Sequence, residues 1–406
     1  MPAESARINP ELELMLCCAR TQLDREVSDR RDALLQQDLD WESVLHLTSV
    51  HRVVPLVFRN LTSAPPGLLP ARALEQLQAG YREAIRSNLF LTAELLRLLK
   101  LISANGLDVI PYKGPALAEI LYGSVCLRQF GDLDILVRKE QVSQAKELLM
   151  RNGYRLEWPE IPLTPAQERA HLEAKYNYKL MRNDGLVAIE LHWSISPRYF
   201  SFPPDTGWLW QNAVESRLSG EKIRSFGVED WLLILSVHGA NHCWNRLGWV
   251  CDVAELLRRF PDLNVERLDK QASQFGCRRM LHLALLLAHN LLDAPLPPFL
   301  QENAFSDTHA RALADEILQR CASTQCYVPG VLEVPSFHIR VRERFKDRRR
   351  YCVAVVVPSV EDWRALPLPG YLSFLHYLLR PFRLLGAYAF NPLWSNLKRR
   401  LGERAG

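Results

Sequence analysis

The sequence predicts an α+β protein: a small unit with a mixed sheet, flanked on both sides by helical regions. Three observations carry this expectation. Before residue 105, apolar residues recur at helical spacing, as in ELELMLCCARTQL and LFLTAELLRLLKLISANG. Between 105 and about 200, short apolar or alternating runs (LDVIPY, LDILV, YNYKLM, VAIELHW) are set off by turn residues and an amphipathic stretch. From Glu229 the helical spacing returns. The divisions expected are a helical region over 1–104, an α/β domain over 105–227 and a helical domain over 228–406. A chain of 406 residues has room for two or three packed units.

The elements follow in chain order. DLDWESVLHLTSVHRVVPLVFRNL reads as helix, with Asp40 as its N-cap and Glu42 adding negative charge to the first turn. TSAPPGLLPARA is a Pro-rich break. LDVIPY is a strand ending at Lys113-Gly114, and PALAEILYG starts a helix with Pro115 in its first turn. LDILV is a second strand, and KEQVSQAKELLMRNG an amphipathic helix closed by Gly153. YNYKLMRNDGLVAIELHWSI gives two strands joined at Asp184-Gly185, a hairpin signal. The order strand, helix, strand, helix, strand, strand defines the mixed unit. EDWLLILSVHGANHCWNRLGWVCDVAELLRRF is the densest helical part. Further helices are expected over 266–292 and 308–322, a loop at VPSVEDWRALPLPG and a last amphipathic helix over 371–388.

Composition narrows the classes. With 48% hydrophobic and 24% charged residues the chain is globular rather than disordered. A net charge of +4 supplies no global field for nucleic acid. Nine cysteines without a CxxC pair form neither a disulfide framework nor a zinc site, so a reducing, cytoplasmic setting is expected. The first residues, MPAESARINPELELMLCCARTQLDREV, lack a basic leader followed by a long apolar core, so no signal peptide is expected. No apolar run reaches the ~18 residues of a membrane span.

Two aspartates, Asp132 and Asp134, open an apolar strand. Strand side chains alternate, so both share one face while Leu133, Ile135 and Val137 point to the other, toward a core. In the hairpin, Ala188, Glu190 and His192 share a face opposite Val187, Ile189, Leu191 and Trp193. If the hairpin lies beside LDILV, Glu190 approaches the aspartates. Three close carboxylates repel one another unless a cation neutralises them, and hard oxygen donors with open positions suit Mg²⁺ or Mn²⁺. The bland alternative makes Asp132 a turn residue and Asp134 a solvated edge residue. Lys113-Gly114, between a strand and a helix, can receive phosphate on backbone N–H groups, and Arg128 can add a bidentate contact.

This stretch resembles the nucleotidyltransferase superfamily with the DNA polymerase β-like palm, and within it the bacterial "uncharacterised nucleotidyltransferase" family. The matching elements are YKGPALAEILYG, Arg128, GDLDILV and IELHW, with similarity running over nearly the whole chain. The resemblance implies a nucleotidyltransferase palm as the mixed unit. It implies Asp132, Asp134 and Glu190 as catalytic and metal-binding residues, and Lys113 and Gly114 at the phosphate-holding turn. Departures are the lysine before Gly114, Pro115 after it, which removes one N–H donor, and Glu as the third acid. Arg128 is expected on the phosphates with them, and His192, on the Glu190 face, beside the cofactor or as a base. YGSV, Tyr122–Val125, is a rival glycine–serine motif at the end of a helix. The expected reaction moves a nucleoside monophosphate, AMP first among candidates, from an NTP to an unidentified small-molecule, peptide or protein acceptor. Phosphorylation or nucleotidylation of a protein or peptide, as in natural-product or toxin–antitoxin systems, stays open. So do small-molecule modification of the aminoglycoside kind and a nucleotide-binding module without turnover.

Other constellations have plain readings beside functional ones. His238 and His242, four apart on one helix face, have metal-binding spacing but no third ligand fixed by sequence, and a wall over the active site is expected instead. Trp244, Trp249 and Asp252 are either pocket walls or bundle core. RVRERFKDRRRYC is expected as a solvated helix face, because Glu343 and Asp347 interrupt its basic run. YLLRPFRLLGAYAFNPLWSNLKRR is expected to pack as a last helix, with a membrane surface or partner as the alternative.

Overall fold

The structure, a computed structural model, describes residues 9–160, 163–203, 205–322, 333–356, 358, 360–366, 368, 372 and 374–385. Five strands form one mixed sheet: β1 (Val109–Pro111), β2 (Leu133–Val137), β3 (Tyr154–Trp158), β4 (Asn177–Arg182) and β5 (Ala188–His192), in the order β1-β2-β5-β4-β3. β2 and β5 run parallel, with Asp134 opposite Glu190; the other pairs are antiparallel. A separate ribbon pairs β6 (Val214–Leu218) with β7 (Glu221–Ser225). The architecture is α+β, with helices on either side of the strands in sequence.

The two faces of the sheet differ as the alternation requires. Leu133, Ile135, Val137, Val187, Ile189 and Leu191 are buried in one core. The 34-residue helix Ala71–Ala104 contributes Leu91, Leu95, Leu98 and Ile102 to it, and the helix Val142–Arg151 contributes Val142, Ala145 and Leu149. The other face carries Asp134, Glu190 and His192 toward the helices that follow. Those helices share a second core with the N-terminal ones: Leu14, Met15 and Leu47 lie in the same cluster as Leu233, Val253, Leu283 and Leu287. Arg20 also pairs with Asp293 at 3.2 Å, and Thr21 with Glu255.

Local signals explain most boundaries. Asp40 caps the helix Trp41–Val50 by accepting from the N–H groups of Glu42 and Ser43. Gly153, at φ +87°, ends the turn before β3, and Gly185, at φ +77°, the turn between β4 and β5. The helix Thr308–Ala322 stands where expected.

Several expectations are corrected. The mixed unit holds an extra edge strand, β3, a helix Pro165–Ala174 and the β6–β7 ribbon. Both β3 and the ribbon carry alternating exposed charges, so their apolar signal is thin. The span 266–292 is two helices, Val265–Phe275 and Arg278–Leu292, separated at Gly276, which lies at φ +76°. The loop at VPSVEDWRALPLPG contains a helix, Val360–Ala365, whose buried Asp362 pairs with Arg380 and Arg383 on the helix Leu375–Leu385. The basic run RVRERFKDRRRYC is not a wholly solvated face: Arg342 is fully buried between the rings of Phe200 and Tyr351, at 4.4 and 4.3 Å, and Asp347 is buried as well. Residues 386–406, most of the aromatic and basic tail, lie outside the described residues. Among the described residues every cysteine is free, and no helix is long and apolar enough to cross a membrane.

Candidate active site

Parallel pairing of β2 with β5 sets Asp134 beside Glu190 and places His192 one pleat further along the same face. His192 is fully buried; its Nε2 lies 2.9 Å from Asp134 Oδ1 and 3.3 Å from Glu190 Oε2. Ligand atoms of Asp134, Glu190 and His192 all fall within 4.8 Å of one another. Lys113 ends the connection from β1, at φ +65°, in the left-handed region that a side chain rarely adopts. From there its Nζ reaches Asp134 Oδ1 at 2.8 Å. Gly114 follows at φ +49° and opens the helix Gly114–Tyr122; a Cβ there would stand 3.6 Å from the Asp132 carbonyl oxygen.

The hairpin adds two groups that the sequence reading did not single out. Lys179 faces Glu190 across β4–β5, and its Nζ lies 2.9 Å from Glu190 Oε1. Asn177, opposite His192, donates from Nδ2 to Glu190 Oε2 at 2.9 Å. Counting back from the Asp184-Gly185 turn gives this register, so the signal was present.

The electrostatics follow from the partners. Burial alone would raise the Glu190 carboxyl, but its hydrogen bond with His192, then the charges of His192 and Lys113, hold it below the ordinary value. Burial would lower His192, yet Asp134 and Glu190 draw its proton affinity up. Lys113 is raised in the same way: burial opposes its charge, and Asp134 and Asp132 outweigh it. Asp132 differs. Burial first, then the negative charge of Asp134, pushes its carboxyl above the usual range. Among the described residues no hydrogen bond or ion pair reaches the Asp132 carboxylate, and the side-chain bonds to Asp134 all fall on Oδ1. Among the described residues the ligand atoms that come together are those of Asp134, Glu190 and His192, without Asp132; the two carboxylates among them are hard oxygen donors of the kind that Mg²⁺ or Mn²⁺ takes.

Arg128 lines the same cleft, but its guanidinium is already held. Nε and Nη2 donate to the two oxygens of Asp252 at 2.8 and 2.9 Å, and Tyr122 donates to the same carboxylate at 2.8 Å. The expectation of a phosphate contact from Arg128 meets this fixed ion pair. Asp252, fully buried on the helix Leu247–Arg259, thereby ties the stretch before Asp132 to the C-terminal helices. Tyr122–Val125 sits at the helix C-terminus, with Gly123 at φ +68°.

The cleft has a volume of about 460 Å³. Its floor is Lys113, Asp132, Asp134 and Glu190; its opposite wall comes from the helices Val228–Asn241 and Leu247–Arg259. On that wall the rings of His238, His242 and Trp249 meet at 4.7 to 5.3 Å between centroids. Burial, with the nearby Lys113 charge, holds His238 well below its ordinary value and hence neutral. No metal-ligating group among the described residues contains His238 or His242, whereas Trp244 is core, buried at 1%.

A family model described as "Uncharacterised nucleotidyltransferase" matches residues 37–293, well over half of the chain. No curated protein matches. One solved structure, an antigenic nucleotidyltransferase-like protein from Paracoccidioides brasiliensis, aligns at 16% identity with a TM-score of 0.26. The alignment covers 52% of this chain and 93% of that one.

Proposed function

We propose a reaction on the premise that the chain belongs to the uncharacterised nucleotidyltransferase family and is a nucleotidyltransferase: transfer of a nucleoside monophosphate, AMP first among candidates, from an NTP to an acceptor hydroxyl or phosphate. One observation carries the reading. Asp132 and Asp134 stand at the mouth of β2, Glu190 stands in register on parallel β5, and Lys113 lies over them at a strand-to-helix turn. The acceptor oxygen, its proton released to solvent where it is a hydroxyl, forms a bond to the α-phosphorus; the bond from that phosphorus to the α–β bridging oxygen breaks, and pyrophosphate leaves.

Asp132 and Asp134 would hold a divalent cation, with Glu190 as the third carboxylate. When bound, the cation supplies neutralisation of charge on the reacting phosphate and a template for the acceptor. Lys179, Asn177 and His192 fix the Glu190 carboxylate on three sides, which spares it reorganisation during reaction. Lys113, charged and anchored on Asp134, can swing its Nζ toward an incoming phosphate. Gly114 takes the positive φ, +49°, that the turn between β1 and the following helix needs beside the carboxylates. The His238–His242–Trp249 wall offers neutral ring surface to a planar base.

The test uses ATP labelled at either end, with Mg²⁺ and a cell extract as the source of acceptors. Label from the α-position should appear in a new product as pyrophosphate is released, and only when the divalent ion is present. Label arriving from the γ-position, with ADP released, would replace nucleotidyl transfer by phosphorylation.

A further inference from the structure

Two arginines at the edge of the cleft, Arg52 and Arg246, come from segments 194 residues apart and are fastened side by side. The buried His51 ring accepts from the Leu247 N–H at Nδ1, 3.0 Å. The His51 carbonyl accepts from the Gly248 N–H, also 3.0 Å. Gly248 permits this approach, since a Cβ there would stand 3.1 Å from the His51 oxygen and 3.5 Å from that of Arg52. Arg52 itself is held at φ +57°, a left-handed conformation that costs a non-glycine residue energy. Its Nη1 lies 3.8 Å from where a Gly131 Cβ would be, next to Asp132.

Among the described residues no hydrogen bond or ion pair engages Arg52 or Arg246 side chains; Arg246 only lies over the Trp249 ring, at 5.3 Å. Burial and the charge of Arg52 pull the Arg246 pKa down, and the charge of Asp132 only partly offsets them, so the two cations face each other at the cleft. The cations expected on phosphate from the sequence already have carboxylate partners, Asp252 for Arg128 and Asp134 for Lys113. We infer that Arg52 and Arg246 form an anion subsite that takes the phosphates of a substrate through two guanidinium forks. Fork geometry matches non-bridging phosphate oxygens in pairs, which a lysine cannot reproduce. The inference rests on the nucleotidyl-transfer reading for the nucleotide tail, but an anion subsite requires only the two arginines. The phosphates are those of the NTP tail or of a phosphorylated acceptor.

The experiment measures binding of ATP, AMP and inorganic tripolyphosphate to the full chain by titration calorimetry with Mg²⁺, for the parent and for Arg52→Gln, Arg246→Gln and the double variant. Both side chains are unpaired, so the variants should keep the parent's urea midpoint, and Arg52→Lys with Arg246→Lys serves as the pair that retains charge. The subsite predicts at least a tenfold loss of tripolyphosphate affinity in the double glutamine variant, with partial recovery in the lysine pair. Equal loss for ATP with AMP little changed assigns the subsite to the nucleotide tail. Loss for tripolyphosphate with ATP unchanged assigns it to a phosphorylated acceptor. Unchanged tripolyphosphate affinity in the double variant overturns the subsite. Parent protein that binds tripolyphosphate but no NTP keeps the subsite and removes the transfer reading instead.

Discussion

Asp132 and Asp134 share a strand face but not a situation. Asp134 carries Lys113 at 2.8 Å and His192 at 2.9 Å, so Asp134→Asn strands the buried Lys113 ammonium and removes the carboxylate that His192 bonds. That variant should lose on the order of 3 kcal/mol of stability in urea unfolding, as breaking a buried ion pair does. Asp132 has no such partner, and its carboxyl is raised by burial and by Asp134. A carboxylate raised in the native state contributes stability that is complete below its unfolded pKa and disappears as pH rises through the folded one. At neutral pH the ionised Asp132 therefore costs the native state, and Asp132→Asn should match or exceed the parent's urea midpoint in EDTA. Both variants should lose the rise in Tm that Mg²⁺ with NTP gives the parent, because ligand binding to the native state is the source of that rise. A destabilised Asp132→Asn would show that some unseen protein contact holds this carboxylate.

At the scale of elements, alternation was the legible signal. LDILV and VAIELHW each put carboxylates on one face and apolar residues on the other; β2 is buried along its whole length, Asp134 included, while in β5 Ala188 and Glu190 are half-buried and Ile189 and Leu191 buried. The pairing of β2 with β5 was legible only as a condition, since nothing within either strand says which edge it joins. Arg128 shows the opposite limit: its partner Asp252 lies 124 residues away, and no local spacing points to it. Edge strand β3 and the charged β6–β7 ribbon were hidden by their polarity. The turn after the helix Val228–Asn241 gives a test at this scale. Trp244 folds back so that its N–H donates to the Gly239 carbonyl at 2.9 Å, and a Cβ on Gly239 would lie inside the van der Waals envelope of the indole. Gly239→Ala should therefore cost about 2 kcal/mol or more by overpacking, against the small gain that alanine usually brings to a helix. Urea unfolding of the variant measures it, and the cleft wall carrying His238 and His242 should be displaced with it.

Over the whole molecule, two neutral histidines fasten distant segments. His51 accepts the Leu247 N–H, and His338 bonds to the Asn241 carbonyl at 3.0 Å and to the Tyr351 hydroxyl at 3.2 Å. Burial, foremost, lowers each to a pKa of about 4. A depressed histidine contributes stability that is present above its unfolded value near 6.5 and lost as pH falls toward the folded value. Each is worth roughly 3 kcal/mol at full effect. The urea midpoint should thus fall steeply between pH 6.5 and 4, with several protons taken up on unfolding, because burial depresses His171, His238 and His242 as well; His51→Gln should flatten part of that slope. The shared core has a consequence for synthesis on the ribosome. Leu14 and Met15 belong to a cluster completed by Leu283 and Leu287, and Arg20 finds Asp293. At roughly 5–20 residues per second, the first helix waits on the order of a quarter-minute to a minute for the segment that covers it. During that interval its apolar face is open to chaperones and to other nascent chains, and a transcript cut short before that segment would yield a product destined for aggregation rather than a smaller working enzyme.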